Sequence, residues 1–286
     1  MIGNFKLIIF SLAVIGMANP MYSQSPERDT TFHPYHVNYW VTGSILVGGI
    51  ATELAGIPWI QNKSDLTLAE LQSLDRSNFT AIDRWALQLD PSNMNYHRQL
   101  SNYVLAGIVV LPALTMFDHN ISQDWGDVLL MYLETQIITN NIYTYSPFGP
   151  TFVNRFRPRV YYDAVPIDER TRGTNRNSFY SGHVAAAAAA TFFTAKVFCD
   201  YHPELGGKKY LLYGAAAIPP LVLSYLRMRG LSHFPSDMLV GLGVGAICGV
   251  LIPELHRVKI ENTSLGLYSS LEGTGLSVKW QPGFWK

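Results

Sequence analysis

Six apolar stretches, about Tyr39–Trp59, Tyr103–Phe117, Val128–Tyr143, His183–Cys199, Tyr210–Leu226 and Met238–Ile252, set the strongest limit on what this chain can fold into. Each is too long for an ordinary strand. Several approach the roughly 20 residues that a helix needs to cross a hydrocarbon layer of about 30 Å. Only 15% of the residues are charged, against about 25% in an ordinary soluble domain. The expected fold is all-α, a membrane-embedded helical bundle of about six apolar helices, with a soluble all-α core as the competing reading. Glu53 and Glu134 fall inside two of the stretches, and carboxylates at such depth face a bundle interior or mark function.

The remaining segments divide the chain. Met1–Lys6 precedes the apolar run Leu7–Met17 and a small-residue stretch, the pattern of a signal peptide over residues 1–23, cleaved near Ser23. Residues 24–37 read as a linker, 38–260 as the helical domain and 261–286 as a tail. Within that tail Thr263–Trp280 alternates apolar and polar residues around Glu272–Gly275, a small β-hairpin. Ser64–Pro91 carries Leu66, Leu71, Leu74, Ile82 and Trp85 at helical spacing among charges, so it packs on the bundle or lies in the lipid interface. Thr144–Tyr180, rich in Arg, Pro, Tyr and Asn, is too polar to span and too long for an idle connection.

Charge excludes little except nucleic acid as a partner: Lys plus Arg and Asp plus Glu both number 21. Cys199 and Cys248 lie in apolar stretches without partner spacing and read as small buried hydrophobes. His33 and His36 lack a third ligand, so no metal and no cofactor are expected.

Three clusters stand out. The first is Asn154-Arg155-Phe156-Arg157-Pro158-Arg159; the second is Tyr180-Ser181-Gly182-His183, followed by a run of alanines. The third spans Leu226-Arg227, His233 and Asp237. Arginine's planar fork offers paired donors to phosphate oxygens and stays charged, which suits a transferring phosphoryl group. Gly182 at a helix start lets backbone N–H groups approach an anion, with the helix dipole adding to the pull, and Ser181 supplies a hydroxyl donor. Asp237, four residues after His233, falls on the same helix face if one helix runs through both, holding one imidazole nitrogen protonated while the other attacks. An antiparallel return of Tyr210–Leu226 brings Arg227 and His233 back to the end where His183 starts. The alanines let helices pack closely behind a histidine that faces an open pocket.

These residues resemble the type-2 phosphatidic acid phosphatase and vanadium haloperoxidase superfamily. Its signature is Lys, six residues, Arg-Pro; then Pro-Ser-Gly-His; then Ser-Arg, five residues, His, three residues, Asp. The resemblance covers about Val128 to Ile252. It implies that His233 is the nucleophile forming a phosphohistidine, that Asp237 orients it, and that His183 is the general acid for the leaving alcohol. Arg157, Arg227, Ser181 and the Gly182 backbone would bind phosphate. This chain has Pro150, Tyr180 and Leu226 where the family has Lys, Pro and Ser; Arg155 is expected to replace the lysine.

The implied function is hydrolysis of a phosphomonoester or pyrophosphate on a lipid, with membrane lipids as the surroundings. A soluble-substrate acid phosphatase, a vanadate-dependent haloperoxidase and a non-catalytic lipid-binding protein are the alternatives. Counted from an exported N-terminus, three spans put the arginine loop in the cytoplasm. Relatives in bacterial inner membranes face the periplasm, the side expected here, which requires that Tyr39–Trp59 stop short of crossing.

Overall fold

The structure is a computed structural model that describes residues 33–77 and 79–257 and the backbone of two strands, 263–270 and 273–280. The expected signal peptide and most of the linker lie outside the described residues. Seven helices build the bundle: α1 (Tyr39–Gln61), α2 (Met94–Val110), α3 (Trp125–Tyr145), α4 (Gly182–Tyr201), α5 (Lys209–Ala216), α6 (Ile218–Arg229) and α7 (Pro235–Arg257). A 3-10 turn, Leu111–Phe117, prolongs α2, and α5 and α6 together form one crossing. The Ile218-Pro219-Pro220 start of α6 explains the break, because proline removes the N–H that would have continued α5.

Five helical stretches are long and apolar enough to cross a membrane: Tyr39–Gln61, Met94–Phe117, Gly182–Tyr201, Pro203–Arg229 and Pro235–Arg257. Their outer faces leave Val47, Phe117, Leu211 and Ile247 exposed by 63% or more, an apolar belt suited to lipid rather than water. This is a membrane protein. The sixth crossing, α3, is less apolar because it is an inner helix: Met131, Glu134, Thr135 and Thr139 are buried.

At the centre stands α4, two-thirds buried. The alanine run is what allows this, since a Cβ added at Gly249 of α7 would stand 2.7 Å from the Ala189 carbonyl oxygen. Gly245 and Gly241, about one and two turns earlier, meet Ala185 and Ser181 backbone in the same way. Helices approach that closely only where both surfaces are nearly bare backbone.

Both ends of the bundle can be read from contacts. His36 N–H donates to the His256 carbonyl at 3.2 Å, and Tyr39 Oη to Asp127 at 2.6 Å, so the starts of α1 and α3 share an end with the finish of α7. Buried groups are paired there: Glu134 with His256 at 3.0 Å, and Asp200 with Arg257 at 3.0 Å and Tyr35 at 2.7 Å. At the opposite end Lys63, just past α1, donates to Asn154 at 2.8 Å. Helix α1 therefore traverses the whole bundle, and the requirement that Tyr39–Trp59 stop short is not met.

Ser64–Pro91 packs on the bundle. It forms only the short helices Leu68–Gln72 and Ala81–Arg84 and a 3-10 turn Trp85–Leu87. Leu66 and Ala86 bury against Val160, Phe234 and Met238, and Phe79 stacks on Phe234 with ring centroids 4.8 Å apart. Cys199 and Cys248 are buried and free, as read from their apolar surroundings.

The tail pairs β1 (Thr263–Ser270) with β2 (Gly273–Trp280), antiparallel, from Thr263 opposite Trp280 to Ser270 opposite Gly273. Gly273, Thr274 and Gly275, expected in the turn, take part in the ladder.

Candidate active site

The three sequence clusters meet at the end of the bundle where α4 and α7 begin. The Ser181 N–H donates to the Asp237 carbonyl at 3.1 Å, which ties the second cluster to the third. Arg155 donates to both Asp237 and Ser236, which ties in the first.

His233 is 2% exposed, in the turn between α6 and α7. Its Nδ1 lies 2.7 Å from the Ser178 carbonyl oxygen. A carbonyl only accepts, so in the neutral ring Nδ1 carries the proton and Nε2 keeps its lone pair. Burial, reinforced by the nearby charges of Arg157 and Arg227, pushes the His233 pKa well below its usual value, while the Ser178 carbonyl works in the opposite direction. The ring is therefore a neutral base near physiological pH.

Asp237 does not hold His233 directly: its Oδ2 is 3.9 Å from Nδ1. The reason is that α7 starts at Pro235, which leaves His233 upstream of the helical register that would have aligned the two. Instead, Oδ2 accepts from Ser178 Oγ at 2.6 Å and from the Phe234 N–H at 2.8 Å. The carboxylate thereby fixes Ser178, whose carbonyl fixes the ring.

Arg227 is 6% exposed. One terminal nitrogen reaches Ser101 Oγ at 3.2 Å and the other lies 3.5 Å from His233 Nε2. Its Nε is buried with no hydrogen-bond partner. An orphaned guanidinium N–H beside a nucleophilic nitrogen fits a site built for an anion. Arg157 donates through Nε to the Thr174 carbonyl at 3.3 Å, and burial depresses its pKa.

Ser181 is fully buried and caps α4, its oxygen accepting from the Val184 N–H at 3.5 Å while its own proton stays available to donate. Gly182 opens the helix against the Tyr143 ring, where an added Cβ would stand 3.1 Å away. The Gly182 and His183 N–H groups open α4, where a helix leaves its first N–H groups without intrahelical partners. His183 Nε2 lies 3.1 Å from Asn102 Oδ1.

Arg155, expected to replace the lysine, is held by other side chains. Its guanidinium donates to Asp83 at 2.7 Å, Ser236 at 2.8 Å and Asp237, and it covers the Phe234 ring at 4.6 Å. Two carboxylates and a hydroxyl take three of its five N–H donors. A lysine does arrive at Pro150, but from outside the motif: Lys63 donates to the Pro150 carbonyl and to Asn154, bracing the loop. Arg159 is likewise structural, holding Ser232 at 3.2 Å and the Leu231 carbonyl. That contact secures a turn in which Leu231 has φ of +48°, a conformation that costs a non-glycine residue about 1–2 kcal/mol.

The opening of α2 supplies residues that sequence reading missed. Arg98 acts electrostatically on Arg157 and Arg159 and shares Glu169 with Arg159, while Ser101 and Asn102, three and four residues on, touch Arg227 and His183. Their spacing was the available signal, since i, i+3 and i+4 lie on one helix face. Among the described residues, no group of three or more His, Cys, Asp or Glu side chains forms a metal cluster.

Residues 125–261 match the family model of the PAP2 superfamily. A solved structure of a transmembrane PAP2-type phosphatidylglycerolphosphate phosphatase from Bacillus subtilis is similar at 21% identity, covering 76% of this chain and 98% of that one, with a TM-score of 0.42. Among curated proteins, nothing matches. The matched region contains all three motifs and every clustered residue from Arg155 to Asp237, and over that region the chain is similar to the PAP2 superfamily.

Proposed function

We propose that this membrane protein is a phosphatase that hydrolyses a phosphomonoester or pyrophosphate on a lipid through a phosphohistidine at His233. The observation that carries the reading is the His233 ring held with Nδ1 against the Ser178 carbonyl and Nε2 3.5 Å from a terminal nitrogen of buried Arg227, whose Nε has no partner. Nε2 attacks phosphorus as the bond to the leaving oxygen breaks, and His183 gives that oxygen a proton. Water then attacks the phosphohistidine, losing a proton to His183, and phosphate leaves with His233 restored. Arg157, Arg227, the Ser181 hydroxyl and the first-turn N–H groups of α4 carry the charge of the transferring group. Asp237 acts through Ser178.

A lipid substrate follows from the surroundings. The loop bearing the site exposes Phe148 by 69% and Phe152 by 61%, and Trp59 at the end of α1 by 55%. Aromatic residues at that level match the boundary between hydrocarbon and head groups. Purified protein should release phosphate from a lipid phosphate, and His233→Ala should reduce the rate by at least about 10³-fold. Equal rates in both proteins would remove the assignment.

The site lies on the membrane face opposite residues 33–38. A cleaved signal peptide and a periplasmic site therefore exclude each other. A cysteine placed at exposed Phe148, in protein lacking Cys199 and Cys248, separates them in intact cells. Labelling by an impermeant maleimide reads a periplasmic site; protection reads a cytoplasmic site and leaves signal cleavage standing.

A further inference from the structure

One carboxylate outside the matched region bears on the nucleophile. Asp83, in the one-turn helix Ala81–Arg84, is 2% exposed. It accepts from the Ser236 N–H at 3.0 Å, Ser236 Oγ at 2.8 Å and Arg155 at 2.7 Å. Arg155 in turn donates to Asp237, which takes the Ser178 hydroxyl at 2.6 Å, and the Ser178 carbonyl holds His233 Nδ1 at 2.7 Å. Asp83, Asp237, Ser178 and His233 are buried and Arg155 is partly so, and each link is a direct hydrogen bond. We propose, resting on the function above, that Asp83 is a positioning residue for His233, acting through Arg155, Asp237 and Ser178.

The charges explain why a second carboxylate is needed. Arg155 sits over Phe234, the residue after His233, where one cation faces two anions. Were Asp237 the sole anion there, Arg155 would compete with Ser178 and the Phe234 N–H for the same two oxygens. Asp83 takes half of the guanidinium and frees Oδ2 of Asp237 for Ser178. Although burial works to raise the Asp83 pKa, hydrogen bonds from Ser236 and Arg155 outweigh it and keep the carboxyl below its usual range. Ser236 links both ends, donating to Asp83 and receiving Arg155, so Asp83 also fixes the first turn of α7 that carries Asp237. Packing of Phe79 on Phe234 and of Ala86 under Tyr162, whose hydroxyl donates to the Ala86 carbonyl at 2.9 Å, holds Asp83 in place.

The test is a double-mutant cycle on the purified full-length protein in detergent, using p-nitrophenyl phosphate, with vanadate inhibition as an independent measure of anion binding. Asp83→Asn should lower kcat about tenfold, the scale typical of groups that orient a ligand from behind. KM and vanadate inhibition should stay within about twofold, because Asp83 faces away from the anion. In an Asp237→Asn background, Asp83→Asn should cost nothing further, since both act through one path. Asp83→Glu, which keeps the charge, should recover most of the rate. Losses that multiply, or a loss confined to KM, would overturn the proposal. So would failure of both Asp83 variants to bind vanadate, which marks a purely structural residue. A wild-type protein with no His233-dependent activity would sink the phosphatase reading and this role with it, whereas an active wild type with multiplying losses sinks this role alone.

Discussion

The seam between α4 and α7 makes a graded prediction. Adding a methyl at Gly241, Gly245 or Gly249 of α7 drives it into the backbone of α4 and its cap: 2.5 Å from the Ser181 carbonyl oxygen at Gly241, onto the Ala185 carbonyl oxygen at Gly245 and 2.7 Å from the Ala189 carbonyl oxygen at Gly249. Ordinary carbon contacts lie near 3.5–4.0 Å, and backbone has no rotamer to yield, so the helices must part by roughly 1 Å. Overpacking of this kind costs about 1–3 kcal/mol per site. Each Gly→Ala variant should therefore lose several degrees of apparent Tm in detergent. Activity separates them. At 1.5 Å per residue, Gly241 lies about 6 Å along the helix from Asp237 and Gly249 about 18 Å. A shift near 1 Å at the site can cost about 10²-fold, so Gly241→Ala should lose most of its activity below its melting temperature while Gly249→Ala retains most of it. Measuring phosphate release and thermal unfolding for the three variants checks both gradients. Equal activity losses at all three positions, or unchanged Tm, would refute the seam.

Three further outcomes follow from the site. His183→Gln should slow the first-turnover release of alcohol from an alkyl phosphate by about 10²–10⁴-fold and the first-turnover release of p-nitrophenol far less, because a good leaving group needs no proton; equal losses in that first turnover would remove His183 as the acid. Arg98→Gln should weaken vanadate inhibition about tenfold, the low end for a charged hydrogen bond, and an unchanged inhibition constant would leave Arg98 a loop anchor only. The depressed His233 pKa means that the unfolded chain takes up a proton as pH falls through about 6.5 while the folded site does not. Its contribution is thus intact above that pH and is lost below it, at up to about 1.4 kcal/mol per pH unit. Between pH 6.5 and 5 the wild type should lose more Tm than His233→Ala, and parallel profiles would contradict the assignment.

Much of this was legible in the chain because bilayer length and the three motifs are local patterns. The apolar stretches became the bundle, and the alanine run correctly signalled close helix packing. What escaped depended on residues far apart. The second apolar stretch was expected from Tyr103, yet α2 starts at Met94, because its first turns carry Asn95, His97, Arg98, Ser101 and Asn102, polar residues that hide a span in any hydropathy reading. Of these, Ser101 and Asn102 touch Arg227 and His183. Nothing local pairs Arg155 with Asp83, 72 positions away. The spacing of His233 and Asp237 implied direct contact, but proline at position 235 moved the helix start past His233 and inserted the Ser178 carbonyl between them. Orientation was ambiguous for a different reason, since the path of α1 depends on tertiary contacts at both of its ends.

The central claim is that His233 Nε2 takes the phosphoryl group, and trapping that bond tests it most directly. Protein mixed with radiolabelled lipid phosphate, quenched in alkali within one turnover and digested, should yield an acid-labile, base-stable label on the peptide containing His233. The label should be absent from His233→Ala and should accumulate in His183→Gln with p-nitrophenyl phosphate, where water attack lacks its base. Turnover with no label at any time point, or label on another residue, would contradict the account.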